Sequence, residues 1–222
     1  MRLEDRGKNL GATLKADIRR YVGPDLSPRT WRFWKRLARL VYVHPGLIAV
    51  IVYRYGQWVE YRCRIPIVRQ LAELTYYYWF NWVRTRLQIE LPRTTAIDAG
   101  LRINHYGGIL INCQIVAGKN LTLTQGVLIG ETPAGIPRIG DDVMVGVGAK
   151  IIGPVVLGDR VEVGAGAVVT KSFPADAVIA GVPAKLLRQK GEPAPSSLET
   201  SPLASSLSEV SSETPAKRVS FG

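Results

Sequence analysis

Between Ile139 and Val169 the sequence repeats with a period of six residues. The first position of each six-residue block is Ile, Leu or Val, and the fifth position is Val or Ala. Glycine recurs at the second position: Gly140, Gly146, Gly158 and Gly164. A period of six matches neither an α-helix nor an alternating β-strand. It is typical of a β-helix, in which each block makes one flat face of a prism and three blocks make one coil.

The repeat predicts where each side chain lies. We expect the aliphatic first position to point into the prism and to stack on its counterparts in neighbouring coils. The small fifth position should also pack inward, near a corner. The second-position glycines are expected to relieve tight turns by taking positive φ, which costs a residue without Cβ little. A β-sandwich would instead show strands with period two and variable spacing.

The same register extends back to Ile97 with less regularity. The block that begins at Ile103 carries two extra residues, and the block at Ile129 is interrupted by residues 131–138. This insert holds two prolines and a glycine, which predicts a loop projecting from a corner of the prism. Loops on a rigid scaffold are where binding groups collect.

The chain divides into three predicted regions. Residues 1–89 are expected to form an α-helical domain, residues 90–188 the β-helix, and residues 189–222 a disordered tail rich in Ser, Pro, Glu, Ala and Thr. Apolar residues at helical spacing support the first region. Within it, Ser27-Pro28 is predicted to begin a helix that Pro45-Gly46 breaks, a further helix runs over 47–61, and Pro66 starts the last.

The positive charge is concentrated in the helical region. The chain has a formal net charge of +11, and residues 1–90 hold 17 Lys or Arg against 7 Asp or Glu. Basic residues interleaved with Trp and Tyr are typical of helices that contact an anionic membrane surface. They are also compatible with the solvated face of a domain that packs on itself or on a neighbouring subunit. We expect no nucleic-acid partner.

Cysteine content and the N-terminal residues indicate the compartment. The chain has two cysteines, Cys63 and Cys113, and residues 1–20 are charged without a central apolar stretch. These features predict no secretory signal and a cytoplasmic location with both thiols free, with peripheral contact to the inner face of the membrane left open. No apolar run reaches the ~18 residues needed to span a bilayer.

The chain has two histidines. His44 lies at the helix break Val43-His-Pro-Gly46, which predicts a local turn or capping role. His105 lies beside the two-residue expansion, in Ile103-Asn-His-Tyr-Gly-Gly108, where paired glycines suggest that something approaches the backbone. A metal enzyme resembling γ-carbonic anhydrase needs three histidines on neighbouring coils. The repeat holds only one, so we expect no metal.

The segment Gly100–Asn112, which contains His105, resembles the catalytic coil of the serine acetyltransferase family. Other segments resemble the same family, in the β-helix and in its helical domain: Leu123–Gly130, Val145–Ile151, Gly164–Val169, Ala180–Lys185, Ala16–Tyr21 and Tyr53–Trp58. The resemblance covers roughly residues 14–190. It implies a left-handed parallel β-helix, which is unusual because crossover connections are generally right-handed.

The resemblance also implies partners and a co-substrate. Members form homotrimers that can pair into hexamers through their helical domains, and acetyl-CoA lies in the groove between neighbouring prisms. Gly148, Ala149, Gly166 and Ala167 match positions where the pantetheine arm of acetyl-CoA runs close to the backbone in the family. Gly130 and Lys185 are further candidate cofactor-binding residues; Lys185 could meet a phosphate of coenzyme A, and a solvated surface role is its alternative. Backbone N–H groups around Gly130 are candidates for stabilising a developing oxyanion. For the small residues, corner packing is an alternative role.

The matched histidine implies the chemistry. His105 would be the general base that takes the proton from an acceptor hydroxyl, and that hydroxyl would attack the thioester carbonyl directly. A positioned imidazole typically contributes ~10²–10⁴-fold. Glu90 matches the acidic position that orients the histidine, although an ordinary polar role at the domain junction is the alternative. Asn104 and Tyr106 flank His105 and are candidate substrate-binding residues.

Two positions depart from the serine-using enzymes. Those enzymes carry Asp immediately before the catalytic His, where it holds the substrate ammonium, and this chain has Asn104. They carry a second His in Arg-His-Pro, associated with the substrate carboxylate, and this chain has Ile136 before Pro137. Leaving both charges of an amino acid unpaired in a closed site would be costly. The Asn-His-Tyr-Gly-Gly sequence is more similar to relatives from polysaccharide biosynthesis.

These observations predict an acetyl-CoA-dependent O-acetyltransferase whose acceptor is a sugar or glycan hydroxyl, as a small molecule or lipid-linked. The alternative acceptor is L-serine, giving O-acetyl-L-serine for cysteine biosynthesis. An alternative of another class is a non-catalytic β-helix scaffold, in which replacing His105 would change nothing. The residues Val219-Ser-Phe-Gly222 lack the terminal Ile by which the family docks on cysteine synthase, so no such docking is expected.

Overall fold

The structure is a computed structural model that describes residues 10–23, 30–112 and 114–191, apart from the side chain of Phe33. Its helical part consists of α1 (Leu10–Val22), α2 (Trp31–Val43), α3 (Pro45–Tyr61), α4 (Pro66–Trp82) and a π-helical turn, Val83–Leu87. The predicted start of a helix at Ser27-Pro28 and nearly all of the predicted disordered tail lie outside the described residues. So does Cys113, whereas Cys63 is a buried free thiol.

Prolines set the starts of α3 and α4. A proline in the first helical turn lacks an N–H that would be unpaired there and has its φ already fixed. Helix α3 therefore begins at Pro45, two residues before the predicted start at Leu47. His44 lies between α2 and α3, and its backbone N–H donates to the Leu40 carbonyl at 2.7 Å. The predicted role of His44 at a helix junction is confirmed.

The β-helix follows as short strands: β1 (Ile89–Glu90), β2 (Ala96–Ile97), β3 (Arg102–Ile103), β4 (Ile109–Ile111), β5 (Val116–Ala117), β6 (Thr122–Leu123), β7 (Leu128–Gly130), β8 (Arg138–Ile139), β9 (Met144–Val145), β10 (Lys150–Ile152), β11 (Val156–Leu157), β12 (Glu162–Val163), β13 (Val168–Val169), β14 (Ala177–Ala180) and β15 (Lys185–Gln189). They form three sheets: sheet A is β1-β4-β7-β10-β13, sheet B is β2-β5-β8-β11, and sheet C is β3-β6-β9-β12-β14-β15. All pairings are parallel except that of β14 with β15, which closes the last coil. The predicted fold class, a β-helix after a helical region, is confirmed.

The strand register follows the six-residue blocks. Where the coil is regular, paired residues are eighteen apart, as in Lys150 and Val168. The pair Ile97 and Ala117 is twenty apart, because this coil contains the expansion at His105. The pair Val116 and Arg138 is twenty-two apart, because of the insert. Arg138 itself belongs to β8, so the projecting loop is one residue shorter than predicted.

Burial agrees with the predicted inward positions. All first positions from Ile139 to Val169 and all fifth positions from Val143 to Ala167 are buried. They form a continuous apolar column inside the prism. Removal of this surface from water is the main favourable term for a fold whose strands are at most five residues long.

The second-position glycines do not take positive φ, which corrects the expectation. They are needed because the next coil lies too close for a side chain. A Cβ on Gly146, for example, would lie 2.6 Å from the Val163 carbonyl oxygen. Positive φ occurs instead at the fourth position, in Asp142, Gly148, Arg160 and Gly166. The turn thus lies two residues later in the block than the repeat alone suggested.

The helices cover the open end of the prism through a buried ion pair. The Nε of Arg54 on α3 donates to Asp17 on α1 at 2.7 Å, and both side chains are almost fully buried. Asp17 Oδ1 also accepts the backbone N–H groups of Gly100 at 2.7 Å and Leu101 at 2.8 Å. Arg54 donates onward to the carbonyl of Ile97 at 2.9 Å. Backbone groups at the end of a sheet have no neighbouring strand to bind. These bonds satisfy such groups in the first coil of the prism.

Two further side chains on α1 bind the same end of the prism. Arg20 donates to the carbonyl oxygens of Gly100 at 2.7 Å and Asn120 at 2.8 Å. The Tyr21 hydroxyl accepts the backbone N–H of Ile103 at 2.7 Å. Burial is the largest effect on this phenol and raises the pKa of Tyr21 to about 12. The segments that resemble the family's helical domain therefore act as the end cap of the β-helix.

Within the described helices, no single one is long and apolar enough to cross a membrane. Residues Trp34–Val43 and Pro45–Tyr61 reach that length and hydropathy only as a pair, and they meet at an angle of 105°.

Candidate active site

His105 lies at the corner where sheet C turns into sheet A. Strand β3 ends at Ile103 and β4 begins at Ile109, so the two extra residues widen this corner. The side chains of His105 and Tyr106 are exposed. Neither makes a hydrogen bond with another residue in the described part of the chain. An exposed imidazole on a rigid corner is accessible to a substrate and is held at a fixed point of the backbone.

Four glycines stack along this corner, one from each successive coil. We call Gly108, Gly126, Gly148 and Gly166 the glycine column; all four have φ between +65° and +72°. Main-chain bonds link the coils here, such as that from the Gly126 N–H to the Gly107 carbonyl at 2.8 Å. A Cβ on Gly126 would lie 3.2 Å from the Gly148 Cα, whereas at Gly148 and Gly166 it would meet nothing within 4 Å. The column therefore leaves open space beside Gly148 and Gly166, on the corner that carries His105.

The other predicted cofactor residues are spread over more than one corner of the prism. Ala149 and Ala167 are completely buried, so a ligand outside the prism could reach only their main chain. Gly130 ends β7, and its carbonyl accepts the Gly153 N–H at 3.1 Å. Lys185 begins β15, is exposed, and pairs with Ala180. Its ammonium is available to an anionic group.

Two side-chain oxygens near His105 lack partners. Asn104 Oδ1 and Gln125 Oε1 are both buried and accept no hydrogen bond from the described residues. The two residues occupy the same corner in neighbouring coils, where the Asn104 N–H donates to the Leu123 carbonyl at 2.9 Å. A buried carbonyl oxygen without a donor costs free energy unless a ligand or water supplies one. Together they form a pair of acceptors suited to a ligand that carries N–H or O–H groups.

Gln125 was missed by sequence reasoning. The segment Leu123–Gly130 was recognised, but a single Gln in a Gly-rich turn gives no pattern of its own. Only the position of Asn104 one coil away makes it notable. One signal was available in the sequence. Gln125 directly precedes Gly126, and it occupies the position in its coil that His105 occupies in the preceding coil.

Glu90 lies on β1, in the first coil, and is half-buried. It pairs in register with Leu110 on β4, so it lies on sheet A next to the corner. No hydrogen bond joins Glu90 to His105 among the described residues. Hydrogen bonds between catalytic groups are often formed only in the complex with substrate. The orienting role of Glu90 stays a prediction.

The insert leaves a different corner, between sheets A and B. The backbone groups of Thr132 and Gly135 form a reciprocal pair of hydrogen bonds at 3.0 and 2.9 Å, which makes a small projecting hairpin. Ile136 follows this hairpin and is half-buried. Within one chain, sheet A separates this corner from that of His105. The single chain therefore does not bring Ile136 and His105 together.

Comparisons with known proteins agree with the fold. A family model described as "Bacterial transferase hexapeptide (six repeats)" matches residues 137–171. Serine acetyltransferase of Helicobacter pylori strain J99 is 32% identical over 149 residues, which cover 65% of this chain and 82% of that protein. Serine acetyltransferase of Mycobacterium tuberculosis is 31% identical over 162 residues, which cover 70% of this chain and 66% of that protein.

A solved structure is similar over a comparable span. Serine acetyltransferase from Brucella abortus strain S19, in complex with coenzyme A, superimposes with a TM-score of 0.64 and 26% identity. The match covers 82% of this chain and 68% of that one. The chain spans 66% of the mycobacterial relative and 54% of the Salmonella typhimurium relative. Repeat, fold and sequence identity together place this chain in the serine acetyltransferase family of hexapeptide-repeat proteins.

Proposed function

We propose that this protein transfers the acetyl group of acetyl-CoA to an acceptor hydroxyl, with His105 as general base. The observation that carries the proposal is the position of the exposed His105 on the corner lined by the glycine column. The relatives are named serine acetyltransferases, and one related structure contains coenzyme A. The open space beside Gly148 and Gly166 fits a thin chain such as pantetheine.

The proposed reaction is direct transfer. The His105 imidazole takes the proton of the acceptor hydroxyl as its oxygen forms a bond to the thioester carbonyl carbon. The resulting oxyanion needs donors, for which backbone N–H groups around Gly130, brought opposite His105 by a neighbouring chain, are candidates. Collapse breaks the C–S bond, and the thiolate of coenzyme A recovers the proton from the imidazolium. A half-buried carboxylate at Glu90 would steady that cation.

We further propose a homotrimer, possible also as a pair of trimers, with acetyl-CoA between neighbouring prisms. A corner on one chain offers only one wall of a binding site. A neighbouring prism would supply the second wall and could bring the corner that holds Ile136 opposite another chain's His105. Lys185 would then meet a phosphate of coenzyme A.

The acceptor we favour is L-serine, which the comparisons support better than the sugar predicted first. The sugar hydroxyl remains a second candidate because of Asn104. Its Oδ1 is a neutral acceptor where the serine-using enzymes carry a carboxylate, and a sugar presents hydroxyl donors but no ammonium. Peripheral docking at a membrane would suit a lipid-linked form of such a sugar.

The acceptor is tested by following thiol release from acetyl-CoA with L-serine and, separately, with a panel of sugars and nucleotide-sugars. Turnover with serine supports the favoured reading, and turnover with sugars alone replaces it with the second candidate. Absence of thiol release with every acceptor, together with a bound but unreacted acetyl-CoA, would support a non-catalytic scaffold.

Restoring a carboxylate beside the base should improve the use of serine. If the acceptor ammonium approaches position 104, Asn104→Asp is expected to raise kcat/KM for L-serine about tenfold, because a charge-assisted hydrogen bond is roughly twice as strong as a neutral one. The same change should not raise kcat/KM for any sugar acceptor. Initial rates at several serine concentrations measure this, and a fall in kcat/KM for serine with unchanged KM for acetyl-CoA would place the ammonium elsewhere.

A side chain in the glycine column should weaken acetyl-CoA binding. Gly148→Ala places a methyl group in the space beside the column and is expected to raise the KM for acetyl-CoA at least about tenfold, since a bound chain could no longer reach the backbone. Gly23→Ala is the matched control. Gly23 also has positive φ and open space at its Cβ, but it follows α1. Equal KM values for the two variants would contradict a ligand at Gly148.

A further inference from the structure

We propose that the helical region docks on an anionic phospholipid bilayer. The docking surface, which we call the lipid face, combines the outer sides of α2 and α4. Its members are Trp31, Lys35, Arg39 and Tyr42 on α2, and Ile67, Leu71, Leu74 and Tyr78 on α4. The inference concerns where the protein works and does not rest on the proposed acetyl transfer.

The outer side of α2 has the composition of a helix at a membrane interface. Residues 31, 35, 39 and 42 recur at spacings of three and four, so they share one side of the helix. Trp31 is 78% exposed and Tyr42 is 89% exposed. Aromatic rings of this kind are favoured at the boundary between hydrocarbon and water, where one end of the ring is apolar and the other is wet. Lys35 and Arg39 lie between them on the same side.

The cations of α2 have no acidic partner among the described residues. Arg32, Lys35, Arg36 and Arg39 form no ion pair with any residue that the structure describes. Together with Leu40, Val43 and His44, they line a shallow depression with a volume of about 580 Å³. Among the described residues, no acidic side chain contributes to this lining. A row of unpaired cations in a shallow depression is suited to binding several phosphate headgroups at once.

The outer side of α4 is an apolar stripe that no part of the described chain covers. Ile67, Leu71, Leu74 and Tyr78 recur at i, i+4, i+7 and i+11, and each is more than 60% exposed. The opposite side of α4 packs on α3 through the buried Ala72 and Tyr76. A contiguous apolar stripe of this size on a water-exposed helix usually marks a surface for a partner or a membrane.

The two helices border one apolar groove of about 560 Å³. Val41 of α2 and Trp79 of α4 form its sides, and Ile48, Ile51 and Tyr55 of α3 lie between them. The groove adds apolar surface between α2 and α4, beside the residues of the lipid face. Acyl chains of the leaflet that the protein contacts could fill this groove when α2 and α4 lie in the plane of the interface.

Charge distinguishes a bilayer from a second copy of this chain. Residues 30–88 contain ten Lys or Arg but only two acidic residues, Glu60 and Glu73. Both of these pair with Arg93, at 3.0 and 3.6 Å. Two copies that met through this face would bring like charges together without acidic partners. A nucleic acid would match the charge but would leave the α4 stripe without an apolar partner. An anionic bilayer satisfies both requirements.

The test is flotation of the full-length protein with vesicles of phosphatidylcholine, with or without phosphatidylglycerol. We expect binding to the anionic vesicles, weak binding to the neutral ones, and release as salt is raised. Lys35→Glu with Arg39→Glu should lower partitioning by more than tenfold, given roughly fivefold for each basic residue lost. The control is Lys15→Glu with Arg19→Glu on α1, which changes the net charge equally and should bind like the unaltered protein.

The apolar stripe is tested separately. Leu71→Ser and Leu74→Ser should each lower partitioning about tenfold, because each removes apolar surface that would enter the interface. Val156→Ser, at an exposed apolar position on β11, is the control. Circular dichroism and thermal unfolding without vesicles confirm that each variant is folded. Equal binding to neutral and anionic vesicles would overturn the proposal. So would Leu71→Ser and Leu74→Ser variants that bind vesicles normally but form smaller oligomers.

Discussion

Replacing His105 by Ala is expected to lower kcat for acetyl transfer by ~10²–10⁴-fold, the usual contribution of a positioned general base. The imidazole is exposed at its corner, so its removal leaves no buried cavity and no unpaired partner among the described residues. The fold and the affinity for acetyl-CoA should therefore be retained. Thiol release under saturating substrates measures kcat, and equilibrium binding of coenzyme A measures the affinity of the site for the cofactor.

His44→Ala is the matched control, because the chain contains two histidines and His44 lies at the junction of α2 and α3. Its side chain makes no capping bond there, and the junction uses its backbone N–H. This variant should keep nearly full activity. Unchanged turnover in His105→Ala would remove the base from the mechanism, and absence of turnover in both proteins would favour a scaffold.

Replacing Arg54 by Ala is expected to lower the free energy of unfolding by about 3–5 kcal/mol, the usual cost of removing one partner from a buried ion pair. The change leaves the Asp17 carboxylate buried without its cation and also removes the donor to the Ile97 carbonyl. The end of the prism would then lose part of its cover. Urea unfolding at fixed protein concentration measures the loss.

The pH dependence identifies the cause. Burial raises the pKa of Asp17, while Arg54 and the backbone N–H groups of Leu101 and Gly100 oppose that rise. Without Arg54 the folded-state pKa rises further, so the charged carboxylate penalises folding at neutral pH. The deficit should shrink as the pH falls through that raised pKa, because protonation removes the buried charge.

Arg160→Ala is the control for this loss. Arg160 pairs with Asp176 at 2.6 Å, but the two side chains are 53% and 33% exposed, whereas Arg54 and Asp17 are almost fully buried. The unfolding midpoint of this variant should hardly change, since exposed pairs contribute little. A similar small effect in Arg54→Ala, independent of pH, would contradict the role of the buried pair as the end cap.

The coils could be predicted from the sequence because the period is a local property. Each block repeats the same inward residues, and the register of Lys150 with Val168 follows directly. The role of Gly146 could not be read in the same way. Its lack of a side chain is required by the coil that stacks on it, whose nearest residues are Val163 to Ala165, and not by its own φ. The repeat predicted the positions of the second-position glycines correctly, but the predicted reason, a positive φ, was wrong.

The helices were also predicted, but their function as an end cap was not. Asp17 binds Gly100 and Leu101, more than eighty residues away, and no local pattern encodes such a contact. The same holds for the site. His105 was recognised beside its expansion, whereas Gln125 gained significance only when the coils placed it near Asn104. Contacts between coils and the approach of a neighbouring chain lie beyond any short window of sequence.

The most direct test of the central claim is mass spectrometry of the small-molecule products after incubation of the protein with acetyl-CoA and L-serine. We predict O-acetyl-L-serine and free coenzyme A in equal amounts, with neither accumulating above background when His105→Ala is used. Coenzyme A released without any acetylated serine, or product formed equally by the His105→Ala variant, would contradict acetyl transfer at this corner.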